Sequence, residues 1–191
     1  MNKMPIRQLE ETNCNRTIAA LFVSGRSIYK HLPNVEAYDS KRNALTFDAN
    51  CPGIFHPPCR CWSHNLRTQA KPTDRTAEMY LGRWAVETIH KCGGVLEHPA
   101  RSHLFEEMNL PMPNEPAKLG FTIYIEQSWF GFTTKKATWL YVVGVPIARI
   151  KQPMFKLTCA NSPGASHAER SRTMPALAKW LCEIARSVKR P

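Results

Sequence analysis

Runs of apolar residues, broken at regular points by proline, glycine and charge, set out the elements of this chain. Ile18 to Val23 is a continuous apolar run of strand length. Ser24-Gly25-Arg26-Ser27 follows as a turn, and Ile28 to Leu32 begins a short helix that Pro33-Asn34 breaks. Val35 to Asp39 reads as a second strand ending in an acid, and Leu45 to Asp48 as a short third strand or an extended edge. Ile54-Phe55-His56 is a further strand, and it must stop at Pro57-Pro58, because proline lacks the backbone donor and fixes φ. The clearest helix spans about 73–91, with Ala77, Leu81, Trp84, Ala85, Thr88 and Ile89 at helical spacing. Thr73 or Asp74 can cap its start, and Gly93-Gly94 stops it. Val95-Leu96 is a short buried strand closed by Glu97-His98-Pro99.

Four prolines in 99–119 predict an irregular segment. Phe121 to Gln127 alternates as a strand, and Ala137 to Val145, the most apolar run, predicts a central strand. Between them lies a basic turn, Gly131 to Lys136. Residues 146–165 read as loop, and about 175–189 as a final helix with an apolar face of Leu177, Trp180, Leu181 and Ile184. The pattern is α/β: one compact domain over 17–191, preceded by a polar, flexible segment 1–16. Strand, turn, helix, strand and acid in succession outline a nucleotide-binding half-sheet of Rossmann-like type, although Gly25 is the turn's one glycine.

Charge sharpens this picture. Lys and Arg number 26 against 15 acids, a net +11, which favours a polyanionic partner, most simply nucleic acid. No apolar run approaches the roughly 20 residues that span a bilayer, so no membrane role is expected. The first 15 residues hold no apolar h-region, and seven cysteines are an odd number without disulfide spacing. Reduced thiols in a cytosol are the expectation.

Cys59 is the first candidate for chemistry, set on a rigid turn just past a strand. Arg60 and Arg67 are its basic neighbours, and a nearby cation lowers a thiol pKa towards the reactive thiolate. Arg67 and Lys71, on a loop, are available for phosphates. Glu97, at a strand's carboxyl end in a basic protein, can take the amidine face of a nucleobase. A buried structural cysteine and an ion-paired structural glutamate are the bland alternatives. A zinc site is a further one: His56, Cys59, Cys61 and His64 form H-x2-C-x-C-x2-H, with Cys51 upstream. The Cys-x-Cys spacing after Pro-Pro is unlike common zinc knuckles, so no metal is expected. His90, Cys92, His98 and His103 read as scattered.

In three stretches the chain resembles the DNA cytosine-5 methyltransferases. Their Pro-Pro-Cys-Gln-x-Phe-Ser motif is matched by Pro57-Pro58-Cys59-Arg60-Cys61-Trp62-Ser63. Their Glu-Asn-Val is matched by Glu97-His98-Pro99 after Val95-Leu96, and their basic motif by Phe130-Gly131 through Lys135-Lys136 into the strand ending at Gly144. Order and spacing agree over about residues 18–145. The chain also looks like short proteins of phages and prophages, which implies a bacterial host cytosol.

The resemblance implies a methyltransferase-type sheet, S-adenosylmethionine as cofactor and DNA as partner. Cys59 would add to cytosine C6, Glu97 would hold N3 and the exocyclic amine, and Lys136 would stand near the base. Asp39 would take the cofactor's ribose hydroxyls and Asp48 its adenine. Phe22 would lie beside the methionine moiety, with Ser24, Gly25 and Pro57 completing the cofactor site. Arg60, Ser63, Arg67, Lys71 and Lys135 would contact nucleic acid. The family's glycine-rich loop is replaced by Val23-Ser24-Gly25-Arg26-Ser27, and only about 30 residues follow Gly144 before the last helix. That leaves little room for a target-recognition region. Two other readings therefore stand beside methyl transfer: a catalytically inactive relative that binds nucleic acid or a host or phage protein, and a pyrimidine-nucleotide modifier.

Overall fold

The computed structural model describes residues 15–63, 72–151, 169 and 172–189. Six strands form one mixed sheet in the order β2-β1-β3-β4-β6-β5: β1 (Ile18–Leu21), β2 (Val35–Tyr38), β3 (Gly53–Phe55), β4 (Gly94–Pro99), β5 (Phe121–Glu126) and β6 (Ala137–Val143). β1 to β4 are mutually parallel, and β6 runs antiparallel to both β4 and β5. The chain moves from β1 to β2 on one side, then crosses back to β3 on the other. That reversal splays the connections at the carboxyl ends of β1 and β3, the place where open α/β sheets bind ligands.

All four residues of β1 are fully buried, because helices cover both faces of the sheet. Ile18, Ala20, Ile54, Val95, Leu140 and Val142 face α3 (Pro175–Arg186), which inserts Leu177, Leu181 and Ile184. Ala19, Leu21, Phe55, Leu96 and Tyr141 face the other way, onto Ala85, Val86 and Ile89 of α1 (Pro72–Cys92). A short helix α2 (His103–Glu107) adds Leu104 and Phe105 to this second core, its start capped by the Ser102 hydroxyl. The α/β class and both long helices thus agree with the apolar pattern.

Several local expectations need correction. Leu45 to Asp48 is not a strand. Ala44–Thr46 is a single 3-10 turn, capped by the Asn43 side chain, with Phe47 packed on Tyr38. The segment after β1 forms only a 3-10 turn, Ile28–His31. Residues 99–119 contain α2, which the prolines hid. β6 is interior but not central, since only β5 lies beyond it. Of the segment expected to be flexible, residues 1–14 lie outside the described residues, whereas Arg16 hydrogen-bonds the Val188 carbonyl.

Gly94 begins β4 with φ at +128°, and a Cβ there would lie 1.9 Å from the Gly53 carbonyl oxygen. The close parallel pairing of β3 and β4, which carries the candidate site, therefore requires glycine here. Gly94→Ala should cost about 3 kcal/mol or more, through backbone strain and overpacking together. A urea-unfolding midpoint equal to that of the parent chain would refute this.

Candidate functional site

β3 ends in His56-Pro57-Pro58, and the chain then closes one tight turn. The Cys59 carbonyl accepts from the backbone N–H of Trp62 at 3.1 Å and of Ser63 at 2.8 Å. Trp62 anchors that turn: its ring is fully buried against α1, where Gly82 leaves room for it. The Trp62 carbonyl accepts from His103 N–H at 3.0 Å, tying the turn to α2 as well. Cys59 is thus held just beyond the carboxyl end of β3, and neighbouring β4 presents Glu97 alongside.

The Glu97 carboxylate is clamped from two sides. His56 Nδ1 lies 3.0 Å from Oε2, and Gln127 Nε2 donates to Oε1 at 2.9 Å. His56 Nε2 in turn meets the Tyr29 hydroxyl at 3.0 Å. A carboxylate only accepts, so His56 Nδ1 carries a proton and donates to Oε2. The second Gln127 N–H goes to Thr138 Oγ1 at 3.1 Å, and Thr138 donates to the Lys136 carbonyl at 3.1 Å. Tyr29, Gln127 and Thr138 are buried, while Glu97 and His56 keep side-chain exposures of 15% and 11%. The clamp is therefore largely, but not wholly, removed from solvent.

Electrostatics divide the site. Burial alone would raise the Glu97 carboxyl, but the His56 hydrogen bond, followed by Lys136, carries it down to about 2. It is ionised at neutral pH. Burial pushes the Cys59 thiol up to about 11, and the Glu97 charge adds to this while Lys136 opposes it. The expected depression by Arg60 is thus overturned. Arg60 turns outward to Glu78 at 2.8 Å, leaving Cys59 among buried atoms and a carboxylate. The resting residue is a thiol. His98 is fully buried beside Glu97, hydrogen-bonded to Ser102 Oγ at 2.7 Å, and burial lowers it to about 4.

The structure therefore brings Cys59, Glu97 and Lys136 to one place. Lys136 also has its ammonium 5.6 Å from the Phe132 ring centroid. The predicted cofactor residues gather only in part. Phe22, Gly25, Asp39 and Pro57 lie around the ends of β1, β2 and β3, with Phe22 edge-on to Trp84 and Ser24 exposed beside Gly25. Asp39 Oδ1 accepts from the N–H groups of Lys41 at 2.9 Å and Arg42 at 3.1 Å, and Oδ2 pairs with Lys30. These contacts, Lys30 foremost, hold the Asp39 carboxyl well below its usual range. One lone-pair position remains for a ribose hydroxyl, and a Cβ at Gly25 would meet nothing nearer than Asp39 at 3.9 Å. The residues fit a nucleoside here, with Lys30 as competitor. Asp48 is a correction. It sits on the loop entering β3, at the strand's amino end, and its carboxylate accepts from Asn50 Nδ2 at 3.1 Å. That places it away from Asp39 and Gly25.

Of the residues expected to contact nucleic acid, Lys135 is exposed beside Lys136, Ser63 closes the Cys59 turn, and Arg67 and Lys71 lie outside the described residues. The candidate zinc ligands diverge: Cys61 Sγ turns to Glu78 at 3.0 Å, and both His56 nitrogens are engaged. His64 lies outside the described residues. Among the described residues no cluster of three metal-ligating side chains occurs, and all five described cysteines are free thiols.

The sequence reading missed His56 as a site residue in its own right, and Tyr29, Gln127 and Thr138 altogether. His56 had a signal, as the last residue before Pro57-Pro58. The other three lie 27 to 82 positions away along the chain from His56, and only the fold assembles them. Compared with family models, curated proteins and solved structures, the chain matches none. No helix of the described residues is long and apolar enough to cross a membrane.

Two outcomes follow from these charges. Alkylation of Cys59 by iodoacetamide, followed by peptide mass spectrometry, should rise about tenfold per pH unit from pH 7 towards 11. Glu97→Gln should speed it at fixed pH and Lys136→Gln should slow it; a flat profile would contradict the assignment. Stability should also fall with acid, since His98 and Glu97 both bind protons more weakly in the fold than in the unfolded chain. The His98 contribution is present above its ordinary 6.5 and lost towards about 4. That of Glu97 is present above 4.5 and lost towards about 2. His98→Asn should flatten the upper limb of a urea-midpoint series against pH and spare the lower one; an upper limb left unchanged would refute this.

Proposed function

We propose that this chain modifies cytosine at C5 in nucleic acid, with Cys59 as nucleophile, on a Rossmann-like, methyltransferase-type sheet. The observation that carries the reading is the convergence of Cys59, Glu97 and Lys136, residues from three separate stretches, beside the reversal in strand order. S-adenosylmethionine, bound across Phe22, Ser24, Gly25, Asp39 and Pro57, would supply an electrophilic methyl group.

The chain's own residues do the rest. Cytosine C5 is a poor nucleophile until a thiolate adds to C6. The Cys59 thiol loses its proton, a sulfur–C6 bond forms, and the C5=C6 electron pair moves onto C5. The proton given up by the thiol is taken up at N3, and Glu97, ionised and fixed, accepts from that N3–H and from the exocyclic amine, so it favours the protonated ring to which sulfur adds. Once C5 is substituted, loss of its proton releases the thiolate and restores the ring. Because Cys59 rests as a thiol, binding of the base must favour deprotonation; Lys136 is the cation placed to do so. The target base must leave a duplex stack, or the substrate is single-stranded. A net charge of +11 supports a polyanion over a free nucleotide.

A second reading has its own observation. Asp39 is already paired with Lys30 and two backbone amides. That arrangement favours a chain that binds nucleic acid, or a host or phage protein, without turnover.

The deciding measurement is the intact mass of the protein after incubation with S-adenosylmethionine and DNA containing 5-fluorocytosine. Fluorine at C5 cannot leave as a proton, so the covalent adduct should accumulate, and Cys59→Ala should abolish it. No adduct on either single- or double-stranded DNA would sink the reading and leave the binding protein.

A further inference from the structure

We infer that His56, backed by Tyr29, is a positioning residue that orients Glu97 and keeps it ionised towards the base. The inference rests on the cytosine-modification reading and adds a pair of residues to it. His56 lies immediately past the end of β3, with Tyr29 on the 3-10 turn after β1 and Glu97 on β4; three parts of the chain meet in one hydrogen-bonded line. Tyr29 is wholly buried, and burial raises its hydroxyl well above the usual phenol range, so it remains a donor. A phenol that donates to Nε2 fixes the ring with its proton on Nδ1, the atom facing Glu97.

Gln127 holds the opposite oxygen, so the carboxylate cannot rotate. The charged and titratable groups acting on Glu97 are His56, Lys136 and His98, and Glu97 acts in turn on Cys59 and Tyr29. His56 donates directly to one carboxylate oxygen, as the neutral Gln127 amide does to the other. Unclamped, a carboxyl so buried would take up a proton far more readily. It would then present one oxygen as a donor, and the geometry offered to the base would no longer be single.

The test uses the full chain in four forms: parent, His56→Ala, His56→Asn and Tyr29→Phe, each checked for native circular dichroism. The Glu97 side-chain carboxyl is followed by carbon-13 NMR against pH, and the rate of adduct formation on 5-fluorocytosine DNA is measured over the same range. In His56→Ala the Glu97 midpoint should rise by about one to two pH units, the worth of one hydrogen bond to a charged group. The acidic limb of the trapping rate should move with it, with a loss of about ten- to a hundredfold at low pH. His56→Asn keeps a donor and should recover part of both effects; Tyr29→Phe should show a smaller shift in the same direction. If the parent forms the adduct while the Glu97 midpoint and the pH limb stay unmoved in His56→Ala and Tyr29→Phe, the positioning role is overturned and the cytosine reading stands. If the parent forms no adduct on either DNA, the reading falls, and the positioning role falls with it.

Discussion

A carboxylate shut away from water is the constraint on which this site depends. Moving an ion out of water costs several kcal/mol even after relaxation, and removing one partner of a buried pair typically costs about 3–5 kcal/mol. The fold offsets that cost at Glu97 with a donor on each oxygen, His56 and Gln127, and a nearby cation, Lys136. Each donor is itself held: His56 by Tyr29, Gln127 by Thr138, and Thr138 by the Lys136 carbonyl. Five elements of the chain thereby converge on one charge. The network is not closed on every atom: the buried Gln127 Oε1 has no hydrogen-bond partner among the described residues, so the clamp is satisfied at the carboxylate and incomplete behind it.

The same burial that makes Glu97 an effective fixed charge makes Cys59 a reluctant nucleophile. Lys136 acts on both groups, and it pulls both towards their ionised forms. Arg60, adjacent in sequence, contributes little, since its guanidinium is drawn out to Glu78. Proximity along the chain and proximity in space part company here. The geometry of the Cys59 turn decides the matter, with Trp62 and Cys61 driven inward and Arg60 left exposed.

The ends of β1 and β2 are held differently from the Cys59 turn. Gly25 and Asp39 meet there, and Lys30 already neutralises the acid. The lysine is one-third exposed but the Asp39 side chain is buried and also holds two backbone amides, so a hydroxyl competing for Asp39 must displace a partner from a largely desolvated carboxylate.

The apolar runs were enough to determine the α/β class, the buried strands, both long helices and the proline stop that places Cys59 past β3. These features follow from local rules: a run of Ile18 to Leu21 must be covered on both faces, and Pro57-Pro58 cannot continue a ladder. Cys59 and Glu97 could be singled out as candidates because each follows a strand, and Lys136 through the resemblance at the basic turn; the structure brings the three to one place. What only the tertiary structure decided is everything that depends on distance between remote residues. Asp48 read as a strand terminus, yet its segment is a turn, since Phe47 packs on Tyr38 rather than pairing in the sheet. Tyr29, Gln127 and Thr138 carry no local mark of function. They matter because the strand order sets β3 against β4 and β4 against β6, and a buried charge at that seam requires donors from whatever elements the sheet brings there.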